Sequence, residues 1–119
     1  MLKKKTKINQ GQLESAVLSE CLSYLRAVGV FCWRQNTGAF KVENRFYRSS
    51  MAGVSDILGV LPGGRFLAVE CKREKGGRVS DKQQDFIQRV ISAGGVALVV
   101  HSAEELREKL RGLLLAPQE

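Results

Sequence analysis

The sequence predicts an α/β domain with a mixed sheet. Three observations predict it. Apolar residues recur at helical spacing over residues 10–28. Two short apolar runs flank Pro62-Gly63-Gly64. An unbroken apolar run, Val96 to Val100, stands between two segments that open with helix-capping residues.

The first helix is expected over residues 10–28. Leu13, Val17, Leu18, Cys21, Leu22, Leu25 and Val28 form its apolar stripe, and Gly29 ends it. Val30 to Arg34 reads as a short strand. Residues 35–53 are polar and basic with Phe40, Phe46 and Tyr47 interspersed, the composition of a hairpin or an ordered loop. Ile57 to Leu61 and Arg65 to Lys72 read as two strands joined at Pro62-Gly63-Gly64, a hairpin. A charged, glycine-rich loop follows, to Arg78. Ser80 and Gln83 have the spacing of a capping box that opens a second helix, which Gly94-Gly95 closes. The continuous apolar run Val96 to Val100 is expected at the centre of the sheet. Ser102, with Glu105 three residues on, caps a last helix whose apolar face is Leu106, Leu110, Leu113 and Leu114. That face is expected to pack on its own domain.

The chain has 119 residues, enough for one domain with a core of its own. Residues 1–9 read as a basic, flexible tail carrying Lys3, Lys4, Lys5 and Lys7, and residues 10–119 as the single domain. The net charge of +7 favours a polyanionic partner, most simply nucleic acid. Cys21, Cys32 and Cys71 make no CxxC pair and His101 is the one histidine, so a zinc site of cysteine and histidine is not expected. An odd number of widely spaced cysteines fits free thiols in a reducing cytoplasm. No apolar run approaches the ~20 residues of a membrane span.

Three polar placements conflict with simple burial. At about 100° per residue, Glu14 falls near the middle of the first helix's apolar stripe, whereas Glu20 lies off it. Glu14 is then either a ligand or a first-turn carboxylate favoured by the helix dipole. In the strand from Arg65, the period of two puts Phe66, Ala68, Glu70 and Lys72 on one face. A carboxylate and an ammonium thus project side by side from an otherwise apolar strand. If residues 62–64 form the hairpin loop, Asp56 lies opposite Glu70; a four-residue loop makes it a diagonal neighbour. The bland reading of Glu70 and Lys72 is a salt bridge at a strand end, and Asp56 weighs against it. Gln83 lies on the line of Phe86, Ile87, Val90 and Ile91, where its capping role already accounts for it.

These residues suit phosphodiester cleavage. That reaction requires an activated water, neutralisation of transition-state charge and a stabilised leaving oxygen, which one or two Mg²⁺ ions can supply. Mg²⁺ takes hard oxygen ligands. Asp56, Glu70 and the Cys71 backbone carbonyl would provide them, with Glu14 as a further ligand. Lys72 would hold the attacking water or offset charge on the phosphate. Arg34, Lys41, Arg45, Arg48, Arg73, Lys75 and Arg78 are candidates for phosphate contacts on either side of the scissile bond.

The stretch Gly53-Val54-Ser55-Asp56, 13 intervening residues and then Glu70-Cys71-Lys72 resembles the split PD…(D/E)XK motif. Ser80-Asp81-Lys82-Gln83-Gln84 resembles the S-x-x-Q stretch that follows this motif in the VRR-NUC (virus-type replication-repair nuclease) family. Glu14 matches a glutamate on that family's first helix, and Trp33-Arg34-Gln35-Asn36-Thr37-Gly38 is similar to its segment after the first strand. The resemblance spans roughly residues 10–100. Ser55 replaces the proline of PD, which is not a ligand. The resemblance implies a restriction-endonuclease-like αβββαβ core, here with an extra C-terminal helix. It implies a Mg²⁺- or Mn²⁺-dependent nuclease with Asp56, Glu70 and Lys72 at the centre and Glu14 and Gln83 assisting. It also implies a homodimer, like the Holliday-junction resolvases, acting on branched DNA such as junctions or flaps, in a bacterial or phage-infected cell. Three further classes compete with it: a non-catalytic nucleic-acid-binding module, an RNA-directed nuclease, and an interaction subunit that binds no nucleic acid.

Overall fold

The first described element is the long helix α1 (Gln10–Ala27). Leu18, Cys21 and Leu25 along one side of it are buried. It stops where the sequence says it should: Gly29 takes φ 81°, and the amide of Val30 returns to the Leu25 carbonyl at 2.9 Å. The computed structural model describes residues 10–35, 39–42, 45–48 and 51–114, with side chains for 13–35 and 51–114. The expected basic tail, residues 1–9, lies outside the described residues.

After α1 come β1 (Phe31–Arg34), the hairpin β2 (Ala39–Val42) and β3 (Arg45–Arg48), then β4 (Ile57–Val60) and β5 (Phe66–Cys71). Next are α2 (Asp81–Ser92), β6 (Val96–Val100) and α3 (Ala103–Leu110). The hairpin β2–β3 forms its own two-stranded sheet, and the other strands form one sheet in the order β1-β4-β5-β6. Without the inserted hairpin, the order is helix, three strands, helix, strand, plus α3. The sheet is mixed: β1, β4 and β5 run antiparallel in turn, and β6 lies parallel to β5.

The β4–β5 turn fixes the site's register. Val60 pairs with Phe66, and the Leu61 amide donates to the Arg65 carbonyl at 2.8 Å. The loop is therefore residues 62–64, the three-residue case. Continuing the pairing Ile57↔Val69 by one position sets Asp56 opposite Glu70.

The two faces of the sheet carry separate cores. On one, α1 and α3 cover Ile57, Leu67, Val69 and Cys71, and Leu106 and Leu110 are fully buried there. The helix ends at Leu110, short of the expected face, but Leu113 and Leu114 beyond it still pack against the same cluster, so these leucines are used at home. On the other, Phe86 and Val90 of α2 pack on Val54, Leu58, Ala68 and Ala97. Each fully buried leucine contributes roughly 1.5–3 kcal/mol.

One expectation is corrected. Among the described residues, β6 is not central but the outer strand beside β5. Its unbroken apolar run has another cause: α2 packs on one face and α3 on the other, so alternation is suppressed even at an edge. Lys109 Nζ donates to the exposed-side carbonyl of Val99 at 2.8 Å.

Candidate active site

The candidate residues gather where β4 begins and β5 ends. The Asp56 carboxylate takes the Cys71 amide that the ladder leaves free, with Oδ2 accepting at 2.8 Å. Glu70 and Lys72 project from β5 toward α2 and are almost wholly enclosed, at 2% and 8% exposure. Gln83, in the first turn of α2, donates from Nε2 to Glu70 Oε1 at 2.8 Å, and Lys72 Nζ stands 3.7 Å from the same oxygen. The other oxygen, Glu70 Oε2, is buried with no hydrogen-bond partner among the described residues.

That arrangement is electrostatically loaded. Burial, first, and then the adjacent Asp56 carboxylate push the Glu70 carboxyl up to about 8, against the partial relief that Lys72 gives. The ion pair with Lys72 therefore fails to offset desolvation, as expected for a buried charge whose hydrogen bonds are incomplete.

Glu14 reaches the same place from the α1 side. With Ser15, Leu18, Arg34, Asp56 and Cys71 it lines a cavity of about 200 Å³. α1 begins at Gln10, so Glu14 lies beyond the first turn, and the helix-dipole reading of it falls away. Its carboxylate stands 3.8 Å from Arg73 Nη1. The Arg73 guanidinium also donates to the carbonyls of Lys75 and Gly76, both at 2.8 Å, and so ties the loop after β5 to α1.

Two glycines that the motifs left unexplained hold the site together. Gly53 has φ 81°, and a Cβ there would overlap the Lys82 carbonyl in the first turn of α2. The segment leading to Asp56 is thereby pressed against the helix that carries Gln83. Gly77 lets the loop fold over Lys72, since a Cβ there would come 2.7 Å from the Lys72 Cβ. Ser55, in the place of the motif's proline, is fully buried, and its hydroxyl finds no partner among the described residues.

The structure thus brings together Asp56, Glu70, the Cys71 backbone, Lys72 and Gln83, with Glu14 and Arg34 lining the cavity beside them. Lys75 and Arg78 are exposed on the loop beyond β5. The side chains of Lys41, Arg45 and Arg48 lie outside the described residues.

The VRR-NUC domain model matches residues 8–104, most of the chain. The chain belongs to the VRR-NUC family. It is therefore a nuclease domain of the PD-(D/E)XK type, and the four-stranded mixed sheet flanked by helices is compatible with that superfamily's restriction-endonuclease-like core. No curated protein gives a significant match to the chain.

The VRR-NUC family implies a divalent metal, and the residues fit one. An orphaned, buried carboxylate oxygen on Glu70 beside a second carboxylate on Asp56 is a hard-oxygen donor pair whose charge a cation would balance. Among the described residues no three Cys, His, Asp or Glu side chains converge as a metal-binding group. Asp56 and Glu70 would be the carboxylate donors, and Glu14, expected as a further ligand, does not join them in such a group. That suits an ion that keeps several waters, and does not suit a closed zinc cage.

Proposed function

We propose that this chain is a Mg²⁺- or Mn²⁺-dependent endonuclease that hydrolyses DNA phosphodiester bonds, selective for branched structures such as junctions or flaps. The observation that carries the reading is the buried Glu70 carboxylate, its Oε2 unpartnered among the described residues, beside half-buried Asp56 and flanked by the Lys72 ammonium.

Asp56 and Glu70 would hold the ion, and the Cys71 carbonyl, directed by strand geometry to the same side as its amide, is available to it. When bound, the ion lowers the pKa of water and offsets charge on the phosphate. Gln83 fixes the Glu70 carboxylate through Oε1 and leaves Oε2 free. Lys72 holds its ammonium beside that carboxylate, where it can orient the attacking water and neutralise charge growing on the non-bridging oxygens. Arg34, which lines the cavity, would bind a phosphate of the strand being cut. Glu14 is within reach as a water-mediated partner once it leaves Arg73.

A homodimer completes the proposal. One compact site per chain cuts one strand, and a two-fold pair cuts both strands of a symmetric junction. The reducing cytoplasm of a bacterial or phage-infected cell fits the three free cysteines.

The test is a cleavage assay on labelled single strand, duplex, flap and four-way junction, in DNA and matched RNA, with Mg²⁺, Mn²⁺ or EDTA. Wild type and Glu70→Ala are run side by side, with the mass of the free protein measured by light scattering. Metal-dependent cutting by wild type alone, on branched DNA above duplex, is the expected result. A folded wild type that binds DNA and cuts nothing makes it a binding module; cutting of RNA alone overturns the choice of DNA.

A further inference from the structure

Strand β1 has two unlike faces. Cys32 packs into the α1 core and Arg34 lines the catalytic cavity. Phe31 and Trp33 point the opposite way, onto the sheet face that α2 shares. There α2 packs on β5 and β6 and, among the described residues, not on β1. Phe31 is 70% exposed and Trp33 36%, on an outer strand of the sheet.

The register places these rings beside the site. Gln35 donates to the Asp56 carbonyl at 2.8 Å, so Gln35, Asp56 and Glu70 form one row across the sheet. Trp33, Leu58 and Ala68 form the next row on the same face, and Phe31, Val60 and Phe66 the one after. Each row is about 7 Å beyond the last. The two rings are 5.4 Å apart between centroids and tilted by 52°, and the indole N–H is held by Gln35 Oε1 at 3.2 Å. An aromatic pair held in place therefore extends directly from the catalytic row, on a chain of net charge +7.

We propose that Phe31 and Trp33 form a stacking platform for unpaired bases of a single DNA strand that leaves the active site across the edge of β1. The proposal deepens the nuclease reading and rests on it. Exposed aromatic rings on a basic protein are how single strands are held without reading sequence, since every base offers a π face. Bases in a duplex are not free to stack this way, so the platform makes the site prefer DNA with an unpaired arm. The charge of the chain and the continuity with the catalytic row favour a nucleic acid on this face over a second copy of the chain.

Trp33 is the chain's one tryptophan, so its fluorescence reports on this face alone. The full chain is titrated in EDTA, where nothing is cut, with oligo(dT) and with an equally long oligomer of abasic sites. Binding is followed in parallel by anisotropy of end-labelled strands. Oligo(dT) is expected to quench Trp33 saturably and the abasic oligomer to leave it unchanged. Phe31→Ala, at an exposed position that the fold tolerates, is expected to weaken oligo(dT) binding about tenfold. Binding without a change in Trp33 emission overturns the platform, as does equal quenching by the abasic oligomer. A shift that follows protein concentration without DNA assigns the face to a contact between copies instead. Quenching by oligo(U) alone overturns the choice of DNA. The two readings fail separately: a protein that cuts DNA but shows no quenching loses only the platform, and one that quenches but never cuts loses only the nuclease.

Discussion

Gln83 holds Glu70 with one end of its amide and the start of α2 with the other. Nε2 donates to Glu70 Oε1 at 2.8 Å, while Oε1 accepts from the Ser80 amide at 2.8 Å. The Ser80 hydroxyl closes the capping box by accepting from the Gln83 amide at 3.2 Å. The capping role and the catalytic role are therefore one device: the box that starts the helix also aims the amide at the carboxylate.

The two functions separate by substitution. Gln83→Glu keeps an acceptor for Ser80 but loses the donor and adds a further carboxylate, after Asp56, beside Glu70. Its helix cap should survive, with cleavage at alkaline pH falling about 10- to 100-fold. Gln83→Ala should lose the same activity and also about 1 kcal/mol of stability. Thermal melts run beside single-turnover cleavage distinguish them. Wild-type rates for Gln83→Glu would sink the role given to this hydrogen bond.

Glu70 ties stability to pH. Its carboxyl is raised to about 8 in the folded, metal-free protein, against an ordinary value of 4.5. Below about 4.5 both folded and unfolded chains carry the proton, and the group is neutral with respect to stability. Between 4.5 and 8 the folded chain holds the proton and the unfolded chain does not, so stability falls as pH rises, by at most ~1.4 kcal/mol per unit from this group. Melting in EDTA across this range should show wild type losing ground to Glu70→Gln as pH increases. Excess Mg²⁺ should restore wild type most at the alkaline end and leave Glu70→Gln little changed. Parallel pH curves for the two proteins would contradict the assignment.

Much of this was legible beforehand. Periodicity placed Glu70 and Lys72 on one face of β5, and a three-residue loop put Asp56 opposite. These are consequences of period and turn length, which a sequence carries. The position of β6 was not legible, because burial by helices on both faces writes the same apolar run at an edge as at a centre. Nor was the bracing by Arg73, whose partners are backbone carbonyls and a glutamate about sixty positions earlier in the chain. Gly53 offered a clue, being a glycine three positions before the motif aspartate. What it approaches is Lys82 of α2, a contact that only the tertiary fold creates.

Lys72 and the carboxylates should fail in different ways. Lys72→Ala removes the ammonium 3.7 Å from Glu70 Oε1 but leaves both carboxylates in place. Turnover should drop by at least about 100-fold, while Mg²⁺ still raises the melting temperature. Asp56→Ala and Glu70→Ala should abolish cleavage and that metal-dependent rise together, with the fold retained. Loss of the metal response in Lys72→Ala would recast the lysine as structural support for Glu70.

Gly53→Ala tests whether the two halves of the site are held in register by backbone contact. The residue sits at φ 81°, where a side chain costs roughly 1–2 kcal/mol before any collision. Here the new methyl also meets the Lys82 carbonyl, which is backbone and cannot swing aside. The segment bearing Asp56 must then lift from the start of α2, and Gln83 must shift relative to Glu70. A loss of about 2–4 kcal/mol in chemical denaturation is expected, with cleavage reduced further than the lost folded fraction explains. Gly63→Ala is the control. It has a similar φ of 93° but nothing within 4 Å of its added Cβ, so it carries the backbone strain without the collision. If both variants lose the same stability and keep the same rate per folded molecule, contact with α2 contributes nothing to the alignment of Asp56 with Gln83 and Glu70.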